Sequence, residues 1–441
     1  MTRGRRAGTG PNHVRELLAT IRDGRWLTRE RLRLWGFAVL AASAIGLLYV
    51  VVSSDGLNDY QGRPLGTDYS NVYAAGTYVL EGNAAAPFDW PKQYAREQAI
   101  FGDKTPFYGW HYPPFFLFVA ALLALIPYAL SLAAWQGATL LLYLGMLQSI
   151  LRAVPAAAGA WSNLVARDRL WLLLALAFPA VFVNVGHGHN GFLTAALLGG
   201  ALVLLDSRPA LAGVLFGLVA YKPQFGILIP LVLIASSRWR AFAAASVTVL
   251  ALALATLIAF GPEVWRAFLA STALTRIEVL EQGGTGWHKI QSVFAMVRMW
   301  GGGVPLAYIV QGAVTVALAV ALAWLWRSRA AYPLKAAALC IAAIAATPYS
   351  LDYDLVVLAP AIAFLAAHGF ARGFAPWEKT ALAALWLMPL IARTVAEQAL
   401  LPLGVPAMLA VLLLILWRAL AESGASSRLF ASANAGSAHA N

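Results

Sequence analysis

Apolar runs dominate this chain, and the polar residues between them gather into a few short clusters. The first run, LWGFAVLAASAIGLLYVVVS over 34–53, is about twenty residues, the length that crosses a hydrocarbon core as a helix. Runs at 130–151, 170–186, 191–205, 241–260, 304–326, 336–347, 355–370, 380–395 and 402–418 predict helices of the same kind. The stretch 209–240 is basic at both ends and reads as two short helices folded back around Lys222. The run 115–126 meets Pro127 after about twelve residues, which predicts an interfacial or re-entrant segment rather than a crossing. Between the first two runs, Tyr69, Val72, Tyr73, Gly76, Val79 and Leu80 recur at helical spacing. They predict an amphipathic helix over 69–81 with Asp68 at its N-cap. A second surface helix is predicted over 89–101, with Asp89 as cap and a proline in the first turn. The pattern as a whole predicts an all-α polytopic membrane protein of about twelve transmembrane helices, with interfacial helices in its first outer loop.

Composition agrees with the pattern: 441 residues, 60% hydrophobic and only 12% charged, are too apolar for a soluble domain of this length. The net charge of +12 raises the question of nucleic acid. The basic residues, however, sit in short clusters between apolar runs, as in cytoplasmic loops facing anionic lipid, so no nucleic-acid partner is expected. Arg22, Arg25, Arg29, Arg31 and Arg33 place the N-terminus in the cytoplasm. With 115–126 not crossing, Arg152, Arg167 and Arg169 fall inside as well. The expected organisation is a basic cytoplasmic segment 1–33, one membrane domain 34–420 with outer loops 54–112 and 261–302, and a disordered cytoplasmic tail 421–441. Both termini are then inside, in a plasma membrane. Cys340 is the only cysteine and lies in an apolar run, so no disulfide forms within one chain. No cleaved signal peptide is expected, because about thirty polar or mixed residues precede the first run.

On this topology nearly every acidic, His or Asn cluster near an apolar run falls on the outer side. Helix capping accounts for Asp68 by itself, and for Asp352 and Asp354 in PYSLDYDLVV. Asp55 and Asp59 read as solvated loop acids. Lys222 sits in an apolar hairpin where an ionisable residue is costly, which points to function or a charged partner, or to snorkelling. The turn GHGHN supplies His187, His189 and Asn190 as hydrogen-bonding groups for a sugar or phosphate. No metal site is expected there: further His or Cys ligands are absent nearby, and His111 and His288 lie on separate loops. The segment GWHKIQS adds His288, Lys289 and Gln291 in the second outer loop, where exposed loop polarity also accounts for them. No G-x-x-x-x-G-K-[ST] motif is present, and no nucleotide or other cofactor is expected.

The order of TDYSNVYAAGTYVLEGN, WHYPPFFLFVAALLALIP, NVGHGHNGFLTAALLGGALVLL, RPALAGVLFGLVAYKPQFGILIPLVLI and TPYSLDYDLVVLAPA over residues 34–370 resembles the multi-spanning GT-C glycosyltransferases, in particular family 87. That resemblance implies an integral membrane mannosyltransferase-like enzyme. Its donor is a polyprenyl-phosphate hexose, with mannose the first candidate, and its acceptor a lipid or glycan at the outer face, with membrane lipids around it. Transfer proceeds with inversion. Asp68 matches the outer-loop general base of the family. Lys222 is the first candidate for the donor phosphate, with His111, His187 and His189 behind it. Asn190, Asp352, Asp354, His288, Gln291 and Tyr69 are candidates for sugar or acceptor contact. The alternatives are a secondary transporter of about twelve helices, against which the unequal outer loops and the unpaired break at Lys222 argue, and a non-catalytic lipid-binding protein that would tolerate loss of Asp68.

Overall fold

A computed structural model describes residues 11–153 and 169–437. The expected inner Arg167 lies outside them. Among the described residues the architecture is entirely helical apart from isolated bridges. A basic amphipathic helix, α1 (Pro11–Arg22), leads to α2 (Arg29–Val52), which Thr28 caps by accepting from the Arg31 amide. The segment after α2 carries α3 (Thr67–Leu80) and α4 (Trp90–Phe101), the latter capped by Asp89 as the sequence predicts. Then come α5 (Phe116–Leu123), α6 (Tyr128–Ala153), α7 (Leu170–Leu176), α8 (Pro179–His187) and α9 (Gly191–Leu204). The hairpin around Lys222 consists of α10 (Pro209–Leu218), a 3-10 turn at 219–221, α11 (Pro223–Gly226) and α12 (Ile229–Ala235). Helix α13 (Trp239–Phe260) follows, and the segment 261–302 holds α14 (Pro262–Leu274), short turns at 275–281 and 287–289, and α15 (Val293–Met299). The remainder is α16 (Val304–Arg327), α17 (Tyr332–Ala345), a 3-10 turn at 352–357 running into α18 (Leu358–Arg372), α19 (Glu378–Ala399) and α20 (Gly404–Ser437).

Where hydropathy predicts about twelve crossings, seven helices among the described residues are long and apolar enough, or eight if α7 and α8, bent by 46° to each other, make one span. The difference lies in α9, the two arms of the Lys222 hairpin and α17, which are apolar and helical but fall in the range of 10–17 residues. Fourteen residues, the length of α9 and of α17, reach only about 21 Å at 1.5 Å per residue. Helix α5 has eight residues, about 12 Å, against a hydrocarbon core of about 30 Å. The tail read as disordered continues α20 as helix to Ser437, in keeping with the high helix propensity of its alanines.

The packing is that of a membrane bundle with its apolar surface outward. Helix α17 is buried along nearly its whole length, and α18 packs beside it; α6, α9 and α20 close around this pair. Peripheral helices expose large apolar side chains, such as Ile45 and Leu48 on α2, Leu250 and Ile258 on α13, and Ile309 and Val320 on α16. In a soluble protein such a surface marks association; on spans of this length it is the face toward lipid.

Two glycines set the position of α3. Gly66, with φ 69°, is its N-cap, and Gly188, with φ 62°, ends α8. The two backbones press together: a Cβ on Gly188 would lie 2.6 Å from the Cβ of Tyr69 and 3.1 Å from the Cα of Gly66. We expect Gly188→Ala to cost about 1–3 kcal/mol through left-handed strain and this collision, read as a lowered unfolding temperature in lipid nanodiscs. An unchanged melt would show that the contact is loose.

Candidate active site

The Gly66–Gly188 contact brings the start of α3 against the turn between α8 and α9. Because Gly66 takes the N-cap position, Asp68 lies inside the first helical turn and its side chain makes no capping bond. This corrects the capping expectation: the helix begins at Thr67, and the carboxylate is left for tertiary neighbours. Asp68 Oδ2 is 3.8 Å from His187 Nδ1, and 20% of the Asp68 side chain stays accessible. The Tyr353 hydroxyl lies against the same carboxylate, with Lys222, Lys289 and Asp354 in electrostatic reach. Burial pushes the Asp68 carboxyl up to about 6, opposed by the Tyr353 hydroxyl and the two lysines. The same ring nitrogen of His187 lies 2.8 Å from Thr67 Oγ1.

A second layer lies beneath. Lys222 Nζ donates to Asp354 Oδ1 at 2.6 Å and sits 3.4 Å from His189 Nε2. Asp354 uses its other oxygen to accept from the Leu351 amide at 3.0 Å, which folds the 350–354 turn. The lysine expected to reach the outer face is therefore buried and paired, with 5% of its side chain accessible. His189 stacks on Tyr353 with ring centroids 3.6 Å apart, and its Nε2 is 3.3 Å from the Tyr112 hydroxyl. Asn190 is 2% exposed, and neither of its side-chain polar atoms has a hydrogen-bonding partner. The turn itself is clamped from below. Gln136 donates to the His189 carbonyl at 3.0 Å, Asn184 donates to Gln136 at 3.2 Å, and Asn184 Oδ1 accepts from the Gly191 amide at 2.8 Å.

Asp352 is buried beside this group. Its Oδ1 accepts from the Tyr353 amide at 3.0 Å, and its Oδ2 has no hydrogen-bonding partner. The segment 261–302 is strapped to the same turn by a bridge between Ile290 and Leu351 and by the Gln291 amide donating to the Ser350 carbonyl at 2.7 Å. This keeps Lys289 within electrostatic reach of Asp352 and Asp68.

Other sequence candidates lie elsewhere. His111 Nδ1 is 2.9 Å from Thr275 Oγ1, its ring meets Trp90 edge-on, and burial pushes its pKa down to about 4. Tyr69 is fully buried among aromatic rings, its hydroxyl taken by Ser131. Gln291 packs under Gly404 and donates to the His288 carbonyl, and His288 is 4.0 Å from Glu397. Asp59, read as a solvated acid, is buried and paired with Arg63 at 2.8 Å. Glu97, unremarked in sequence, accepts from the Tyr108 and Gly109 amides, and burial pushes its carboxyl up to about 7. Among the described residues no three His, Cys, Asp or Glu side chains converge to hold a metal ion.

A partly accessible carboxylate with a near-neutral pKa, flanked by an imidazole and cations, can accept a proton while neighbouring positive charge stabilises an anion. The sequence model of glycosyltransferase family 87 matches residues 110–350, more than half of the chain. The matched span includes Tyr112, the 187–190 turn, Lys222 and Lys289, and leaves out Asp68, Asp352, Asp354 and Arg393. No curated protein and no solved structure matches the chain.

Proposed function

The chain belongs to glycosyltransferase family 87, and from that premise we propose that it transfers a hexose, with mannose the first sugar to test, from a polyprenyl-phosphate donor. The acceptor is a hydroxyl of a lipid or glycan at the outer face of the plasma membrane. Both termini lie in the cytoplasm and the helical bundle is of the GT-C type. The acceptor oxygen attacks the anomeric carbon opposite the phosphate, its proton passes to Asp68, and the carbon–oxygen bond to phosphate breaks with inversion. Polyprenyl phosphate leaves as an anion, so cationic donors serve it better than an acid.

The observation that carries this reading is the state of Asp68. Its carboxylate has no capping bond, keeps part of its surface open, and sits beside His187 and the Tyr353 hydroxyl. The test is to incubate the purified chain with a panel of lipid-phosphate sugars and nucleotide sugars. Consumption of a polyprenyl-phosphate hexose is expected, and consumption of nucleotide sugars alone would refute the donor class.

A pH dependence follows from the same carboxylate. Only ionised Asp68 can accept the proton, so kcat/KM should fall with acid, losing about tenfold per pH unit below its pKa of about 6. A kcat/KM that stays flat from pH 7.5 to pH 5, over this chain's stable range, would remove Asp68 from the proton transfer.

A further inference from the structure

The buried pair Lys222–Asp354 leaves a question about the phosphate. Lys222 already has a carboxylate at 2.6 Å, and both side chains are nearly inaccessible, at 5% and 2%. A phosphate that took this lysine would have to displace Asp354, whose other oxygen holds the Leu351 amide. Removing a buried carboxylate from its partner leaves an uncompensated buried charge, which is strongly unfavourable.

Two other cations lie near this group: Lys289 acts on Asp68, and Arg393 acts on Lys289 and His187. Lys289, on the 287–289 turn, is half-buried, and its ammonium makes no hydrogen bond or ion pair with the described residues. It feels the charges of Arg393, Asp352, Asp68 and Glu397. Arg393, on α19, keeps 41% of its side chain accessible, and its nearest carboxylate oxygen, Asp352 Oδ2, is 3.5 Å away, outside good hydrogen-bond range. That oxygen has no hydrogen-bonding partner, so even this contact is unsaturated. Glu397, the remaining acid, is half-exposed and 4.0 Å from His288.

We propose that Lys289 and Arg393 form an anion site beside Asp68 that receives the phosphate of a lipid-phosphate substrate. The proposal rests on the donor reading above and moves the phosphate from the buried Lys222 to this open pair. A guanidinium offers parallel donors that fit two phosphate oxygens, and an ammonium adds a mobile point charge. Burial and the like charge of Arg393 both push the pKa of Lys289 down, a cost that a bound anion relieves. Arg393 also lies outside the residues matched to the family, so the site combines a matched loop with an unmatched helix.

The same chemistry could come from the donor or from an acceptor carrying a phosphate headgroup, and the test separates them. Full-length chain in neutral-lipid nanodiscs is titrated with polyprenyl monophosphate, with polyprenol and with phosphatidic acid, reading tryptophan fluorescence. Lys289→Gln/Arg393→Gln is expected to weaken polyprenyl monophosphate at least about tenfold and leave polyprenol unchanged. Loss confined to phosphatidic acid assigns the site to the acceptor. Wild-type binding of both phosphates by the double variant overturns the site. Should that variant lose its cooperative melt, Lys289→Arg, which keeps the charge and leaves the Arg393 fork in place, is expected to bind within about threefold of wild type; the single variants Lys289→Gln and Arg393→Gln then carry the test, each expected to weaken binding. Binding is read without turnover, so a chain that binds polyprenyl monophosphate here yet transfers no sugar refutes the proposed function and leaves the site standing.

Discussion

Asp68→Asn should reduce kcat for sugar transfer by about 10²–10⁴-fold, the usual contribution of a general base, with donor binding and the unfolding temperature close to wild type. The fold should survive because the carboxylate caps nothing: Gly66 begins α3, and Asp68 has no backbone partner there. Replacing a partly buried acid whose pKa is raised to about 6 relieves a desolvation cost, and the asparagine amide oxygen can still accept from the Tyr353 hydroxyl. Steady-state kinetics with a polyprenyl-phosphate hexose, alongside the melt, checks both halves. A large loss of stability with the loss of activity would return Asp68 to a structural role.

Lys222→Met should be the most destabilising single change in the outer half of the molecule, by about 3–5 kcal/mol, because it leaves Asp354 buried without its counter-charge. The loss spreads through the 350–354 turn, since Asp354 also holds the Leu351 amide and Tyr353 lies between the two aspartates. Activity should fall with it as Tyr353 leaves Asp68 and His189. Adding Asp354→Asn to Lys222→Met should recover part of the stability, and a double-mutant cycle on thermal unfolding measures the coupling. If Lys222→Met melted like wild type and bound the donor more weakly, Lys222 would be a phosphate ligand after all.

The long apolar runs placed α2, α13, α16 and α19 to within a few residues, and the start of α20, because a long apolar run leaves little choice of structure. The polar turn 187–190 and Lys222 also stood out, since polar groups between apolar runs need a reason. What spacing left undecided was position within a helix end. Asp68 fits an N-cap or the second residue of a helix equally well, and only the left-handed Gly66 against Gly188 decides. Partners were hidden by distance: Asp354 is 132 residues from Lys222. Tyr112 and Tyr353 were lost among aromatics that also suit an interfacial belt. Arg393 did carry a signal. On the predicted topology it sits at the outer end of its helix, where positive charge is disfavoured, and that exception called for an anionic neighbour.

The central claim, that Asp68 drives release of a lipid phosphate, is tested most directly by parallel incubation of wild type and Asp68→Asn in matched vesicles. The substrates are a polyprenyl-phosphate hexose and an acceptor extract, and the free polyprenyl phosphate formed is quantified. The account predicts steady release by wild type and release near background for the variant; equal release by both would contradict it.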